Sequence, residues 1–183
     1  MSVHHVLYED ASIVAVNKPE AISVIPERDL KAPSLLGQLS ESYPCKLFVV
    51  HRLDKEVSGV ILFAKNADAH RDLCLQFEKR TVKKTYVALV RGRMKTNEGQ
   101  IDRPLREFGS GRVGVDPVKG KESSTSFKVR TRLGGFSLLE VHPHTGRRHQ
   151  IRVHLYSIGH PIVGDIRYGE KVWQQQFPRL MLH

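Results

Sequence analysis

The sequence predicts an α+β protein built on a mixed, largely antiparallel central sheet flanked by helices and loops. Three observations lead there. Segments rich in β-forming residues dominate, turn signals join several of them as hairpins, and only two or three stretches carry helical periodicity. No internal repeat, low-complexity segment or linker divides the chain, so residues 1–183 read as one domain, long enough to bury a real core.

Residues 3–8 and 13–17 read as short strands around the turn Glu9-Asp10-Ala11-Ser12, and Lys18-Pro19 ends the second. Ser34 suits a helix N-cap, with Leu35, Leu36 and Leu39 on one face. Residues 48–50 form a brief strand and residues 60–64 another. Asn66 then caps a helix expected to run to Arg80, whose apolar side is His70, Leu73, Cys74 and Phe77 at i, i+3, i+4 and i+7. Residues 83–90 form a strand stopped by Gly92. Residues 106–121, punctuated by Gly109, Gly111, Gly114 and Gly120, read as a long basic loop. Residues 123–133 and 136–142 make a hairpin around Gly134-Gly135. After Pro143, residues 149–158 read as a helix closed by Gly159, with Pro161 just beyond.

Composition narrows the function. The formal net charge is +10 and the pI about 9.8, which favours polyanionic partners, nucleic acid above all. Cys45 and Cys74 form no C-x-x-C pair, which points to free thiols in a reducing compartment. No stretch approaches the roughly 20 apolar residues of a membrane span, and no secretory h-region is present, so a cytoplasmic protein is expected, with no membrane partner. Neither a phosphate loop nor a dinucleotide fingerprint occurs, so no nucleotide cofactor is expected. Ser58 lacks the G-x-S-x-G elbow of hydrolases.

The densest cluster of chemistry is His51-Arg52-Leu53-Asp54-Lys55-Glu56-Val57-Ser58-Gly59, a polar turn between apolar runs. Taken alone, Asp54 beside Arg52 is the kind of aspartate that forms a surface ion pair or a turn. A second cluster, Arg147-Arg148-His149-Gln150-Ile151-Arg152, opens a helix on which Arg148 and Arg152, four apart, would share a face. An arginine there serves equally to bind RNA phosphate or to hold a carboxylate ionised, and the residues leave both uses open. Lys83-Lys84-Thr85-Tyr86 interleaves cations with an aromatic, as single-strand nucleic-acid binders do, although a tyrosine on a strand also simply fills a sheet. His142, His144, His149 and His154 invite a metal. On a helix, however, His149 and His154 five apart point away from each other, and no carboxylate or thiolate lies near in sequence, so no metal is expected.

Together these segments resemble the RluA-type pseudouridine synthases over nearly the whole chain. The motifs are Val16-Asn17-Lys18-Pro19, His51 to Gly59, Lys84-Thr85-Tyr86 with Gly92, Thr145 to Leu155, Gly159 to Asp165 with Tyr168-Gly169, and Arg179 to His183, in that order. The resemblance implies the pseudouridine synthase fold and an isomerase that converts uridine to pseudouridine in structured RNA, a stem-loop of ribosomal or transfer RNA. It implies Asp54 as nucleophile, Tyr86 against the target base, Arg152 paired with the aspartate, and Arg52 flipping the uridine out. His51, Lys84, Arg147, Arg148 and His149 would contact the RNA. No cofactor is implied, because no atom enters or leaves in the isomerisation. A monomer is expected. The alternative is a non-catalytic RNA-binding protein that retains the synthase fold.

Three departures from the family pattern shape these expectations. Val57 stands where a threonine is usual. With seven residues before Tyr8, an S4-like domain is expected to be absent and target choice to fall to the catalytic domain. The stop at His183, where relatives continue into another strand, leads one to expect an exposed sheet edge.

Overall fold

Asp10 shows how local chemistry sets the first strands. Its Oδ1 accepts from the Ser12 and Ile13 N–H groups at 2.7 and 2.8 Å, closing the turn between β1 (His5–Glu9) and β2 (Ile13–Lys18). The computed structural model describes residues 5–27 and 32–183, so Val3 and His4 of the expected first strand lie outside the described residues. The chain divides into two compact units, one ending at Val82 and one running Lys83–His183.

In the first unit β1, β2, β3 (Phe48–Val49) and β4 (Gly59–Ala64) form one antiparallel sheet in the order β1-β2-β4-β3. Val14 and Val16 of β2 lie across from Phe63 and Ile61 of β4, so period-2 alternation puts all four on one buried face. Helix α1 (Leu35–Ser40) adds Leu35 and Leu39 to that core, and its N-cap is the expected Ser34, whose Oγ accepts from Gly37 N at 3.1 Å. Each such burial contributes about 1.5–3 kcal/mol. Helix α2 (Ala67–Glu78) starts at its expected cap, Asn66, whose Oδ1 accepts from Ala69 N. It ends two residues before Arg80, which takes a left-handed φ of 58°. Its half-buried side is the expected one: His70 stacks on Phe48, and Phe77 on His51.

The second unit holds a four-stranded antiparallel sheet in the order β5-β10-β9-β6. Its strands are β5 (Tyr86–Arg91), β6 (Glu98–Asp102), β9 (Ser124–Leu133) and β10 (Phe136–Pro143). The hairpin of β9 and β10 turns at Gly134-Gly135 as expected. The α+β class and antiparallel bias hold, but among the described residues two four-stranded sheets and one two-stranded sheet carry them in place of a single central sheet, and every pairing between the strands named so far is antiparallel.

Three expectations need correction. Residues 106–121 are not simply a loop: β7 (Leu105–Glu107) and β8 (Val113–Val115) pair as a hairpin, and Val113 is buried with Leu105, Val153 and Tyr168. Strands of three residues are too short for alternation to show in sequence. Arg148 and Arg152 do not share a helix face, because α3 (Gln150–Ser157) begins only after His149, which has a left-handed φ of 53°. Nor is the outer edge of β5 bare. Val87 N–H donates to His183 O while Val87 O accepts from His183 N–H, Leu89 N–H donates to Met181 O, and Arg91 N–H donates to Pro161 O. Gly164 permits this return of the chain: its φ is +78°, and a Cβ there would meet Arg179 O at 1.8 Å. A short helix, α4 (Lys171–Gln174), and β6 had no clear sequence signal. Among the described residues no helix is long and apolar enough to cross a membrane.

Candidate catalytic elements

The His51–Gly59 segment joins β3 to β4 in the first unit. Asp54 is half-buried in a turn closed by Val57 N–H donating to Asp54 O at 3.1 Å, and Arg52 is exposed. Three neighbours build this turn. His51 Nε2 accepts from Leu62 N–H at 3.1 Å while its ring stacks on Phe77 at 4.7 Å, so His51 fastens the loop to β4 and α2. Gly59 has a φ of 146°, a conformation that favours glycine, as the chain enters β4. Lys18 is fully buried, and its ammonium donates to the carbonyls of Pro19, Ile22 and Lys55 at 2.8–3.0 Å. Thus the Asn17-Lys18-Pro19 motif acts through a buried cation that ties the end of β2 to the Asp54 turn. Val57 is itself buried, so an apolar side chain suits its place.

The second unit carries the other motifs. Tyr86 opens β5 opposite Val141 of β10, on the same face as the buried Ala88 and Val90, and is half-buried. Lys84, just before the strand, donates from Nζ to Thr145 O at 3.2 Å, joining the Lys84-Thr85-Tyr86 motif to the segment that leads into α3. His142 sits beside them, with Nδ1 3.3 Å from Lys84 O and Nε2 2.9 Å from Glu140 Oε1. Arg130 and His142 hold the Glu140 carboxyl below its ordinary range.

Residues 150–155 of α3 are buried, so each polar group on the helix needs a protein partner. Arg152 has one in Asp165, whose carboxylate takes the Nε and Nη2 edge of the guanidinium in a bidentate pair at 2.8 and 2.9 Å, with both side chains buried. The Arg167 and Tyr168 N–H groups also donate to Asp165 Oδ1, and the Tyr168 ring lies 5.2 Å from the guanidinium carbon. Gln150 completes a second network. It receives hydrogen bonds from Thr145 Oγ1 and Arg147 N–H, and donates to Ser124 O and Thr125 Oγ1.

His154 ends that network. Its Nε2 lies 3.0 Å from the Arg103 carbonyl and so must donate, leaving Nδ1 to accept from Thr125 Oγ1 at 2.9 Å. That is a neutral tautomer, and burial lowers the ring's pKa. Before α3, Tyr168 OH accepts from Val113 N–H at 3.1 Å and lies 2.7 Å from His149 Nδ1, which fastens the β7–β8 hairpin to the left-handed residue at the helix start. Burial pushes the Tyr168 hydroxyl pKa up. Arg148 points instead to Glu107 on the hairpin and is half-exposed, and Arg147 Nε donates to Glu122 O.

Of the residues expected to act, Asp54, Arg52 and His51 therefore lie in the first unit. Lys84, Tyr86, Arg147, Arg148, His149 and Arg152 lie in the second. Asp165, Tyr168 and Lys18 were visible only as letters inside the motifs, and nothing in sequence spacing reveals their partners. The four histidines have separate partners: Glu140, Ser126, Tyr168 and Thr125. Among the described residues no group of three or more His, Cys, Asp or Glu is placed to hold a metal.

Residues 12–157 match the family model described as RNA pseudouridylate synthase. An uncharacterized RNA pseudouridine synthase of Bacillus subtilis is 41% identical over 176 residues, covering 90% of this chain and 57% of the relative. The dual-specificity RNA pseudouridine synthase RluA of Vibrio cholerae is 38% identical over 180 residues, covering 97% of this chain and 74% of the relative. Among solved structures, human RNA pseudouridylate synthase domain containing 1 superposes with a TM-score of 0.85 at 31% identity, covering all of this chain and 76% of that one. The chain thus spans little more than half the length of some curated relatives.

Proposed function

This chain belongs to the RNA pseudouridylate synthase family, and on that premise we propose that it isomerises uridine to pseudouridine in ribosomal or transfer RNA. One observation carries the reading: the match over residues 12–157 contains Asp54, Tyr86 and Arg152 together, each on an element built to hold it. In this reading the target nucleotide leaves the RNA stack, because its reacting atoms are otherwise covered. Arg52, exposed beside the turn, assists that extrusion. Asp54 acts as the nucleophile: its carboxylate bonds to the ribose C1′ as the bond to uracil N1 breaks, and that new bond breaks in turn when uracil C5 joins C1′. Tyr86 holds the detached base, so that C5 meets the sugar without loss to solvent. Arg152, held in place by Asp165, is the arginine proposed to pair with the catalytic aspartate. His51, Lys84, Arg147, Arg148 and His149 serve RNA contact, His51 and His149 by fixing backbone more than by touching phosphate.

The ring that departs through N1 rejoins through C5. N1 gains a proton as C5 loses one, so no redox partner or group donor enters the balance. We propose a monomer acting in the cytoplasm, and the free thiols of Cys45 and Cys74 suit a reducing compartment. The test is chemical labelling of pseudouridine in RNA treated with wild-type protein and with Asp54→Asn. Wild type should form pseudouridine at defined sites, and the variant none while still binding RNA. Wild-type protein that binds RNA as tightly as the variant yet modifies nothing would establish a non-catalytic RNA binder instead.

A further inference from the structure

At the far end of β5 from Tyr86, the loop of residues 92–97 is fixed from several sides. Met94 is buried, and its N–H donates to Ser137 Oγ at 3.0 Å, while that hydroxyl donates to Gly92 O at 3.0 Å. Arg132 of β9 donates from Nε to Met94 O and from Nη2 to Thr96 O and Asn97 Oδ1, all at 2.9 Å. Val129 N–H donates to Asn97 O at 2.6 Å. With Met94 turned inward, its neighbours Arg93 and Lys95 are turned out to solvent. These two cations and Arg132 line one open hollow of about 480 Å³. None of the three belongs to an ion pair among the described residues.

Three like charges around one hollow repel each other unless an anion shares the space. Here hydrogen bonds already made fix the loop backbone and the Arg132 guanidinium, so an anion that enters has only the Arg93 and Lys95 side chains left to order. The guanidinium of Arg132 is oriented in advance, and Arg93 and Lys95 are free to close on opposite sides of a phosphate.

We propose that Arg93, Lys95 and Arg132 form a second RNA-phosphate site, separate from the candidate catalytic elements, that takes the backbone of a stem extending beyond the target loop. The choice of RNA rests on the function proposed above. The hollow is wide and open to solvent, which suits a strand passing over it better than a small ion enclosed within it. Five residue steps of β5 separate Tyr86 from Arg91, about 17 Å, so a short hairpin engaged near Tyr86 ends before the hollow and a longer stem crosses it.

The test uses two RNA hairpins with the same loop, one short-stemmed and one long-stemmed, and reads binding by fluorescence anisotropy across a salt series. For R93E/K95E we expect about a tenfold loss of affinity for the long hairpin, a salt slope smaller by about two, and unchanged binding of the short one. The neutral pair R93Q/K95Q should lose less, in the same direction, which separates a local site from damage to the fold. An unchanged affinity for the long hairpin overturns the proposal, as does an equal loss on both hairpins, which would mark a diffuse field. So does a loss confined to vesicles of phosphatidylglycerol, which would assign the patch to membrane. Binding is read without turnover. Wild-type protein that binds the long hairpin in this way but forms no pseudouridine would overturn the role of Asp54 and leave this site standing.

Discussion

The root of α3 and the β7–β8 hairpin handle their charges in opposite ways. At the root, Arg152, Asp165, Gln150 and His154 are out of water, and every contact named for them meets a matched donor or acceptor. On the hairpin, Arg106 pairs with Asp116 and Arg148 with Glu107 while the arginines remain about half exposed. A buried pair is costly to break because the survivor cannot return to water. An exposed pair loses little, since solvent and salt replace the lost partner. The first region therefore fixes geometry, whereas the second keeps its cations available to a ligand.

The strongest way to break this contrast is Asp165→Ala. It strands the Arg152 guanidinium and should cost about 3–5 kcal/mol of stability. Urea unfolding followed through Trp173, the only tryptophan, reports on the second unit directly. A loss below about 1 kcal/mol would place this pair with the surface pairs.

Acid should act on the same region through His154. Burial lowers its folded pKa from the ordinary 6.5, so the native state keeps the ring neutral while the unfolded chain takes up a proton. The stability due to the neutral ring is complete above pH 6.5 and is lost as pH falls toward the folded pKa. His154→Gln, which retains a donor for Arg103 O, should flatten that part of the stability profile. Parallel wild-type and variant profiles would show that His154 does not govern it.

The smallest effect belongs to the hairpin. Glu107→Gln should change stability by no more than about 1 kcal/mol, and the change should vanish in high salt. A larger, salt-independent loss of urea stability would mean that the hairpin pair is structural after all.

The same contrast explains what could be read from the sequence. Ser34 and Asn66 announced their helices because a cap acts within three residues. The turn at Gly134-Gly135 was equally local. The H-R-L-D turn and the lysine–tyrosine segment were legible as motifs, but their supports were not. Lys18 reaches a carbonyl 37 residues away, and His154 reaches Thr125 across 29. The left-handed turn at His149, which separates Arg148 from the helix bearing Arg152, is fastened by a tyrosine 19 residues later. Periodicity has no access to such bonds, because tertiary packing selects them. The C-terminal return to β5 was missed for the same reason.

That return bears on how the protein moves. With β10 on one side and residues 161–163 and 181–183 on the other, β5 has hydrogen-bonded neighbours along both edges. The amides of Val87, Leu89 and Arg91 should be among the slow exchangers in deuterium, released only by opening of the second unit and not by fraying at a margin. The strand that begins with Tyr86 is then an anvil. Under the function proposed above, whatever displacement accompanies RNA entry would fall to the ligand and to the turns around it, while the strand bearing the tyrosine stays held in the sheet.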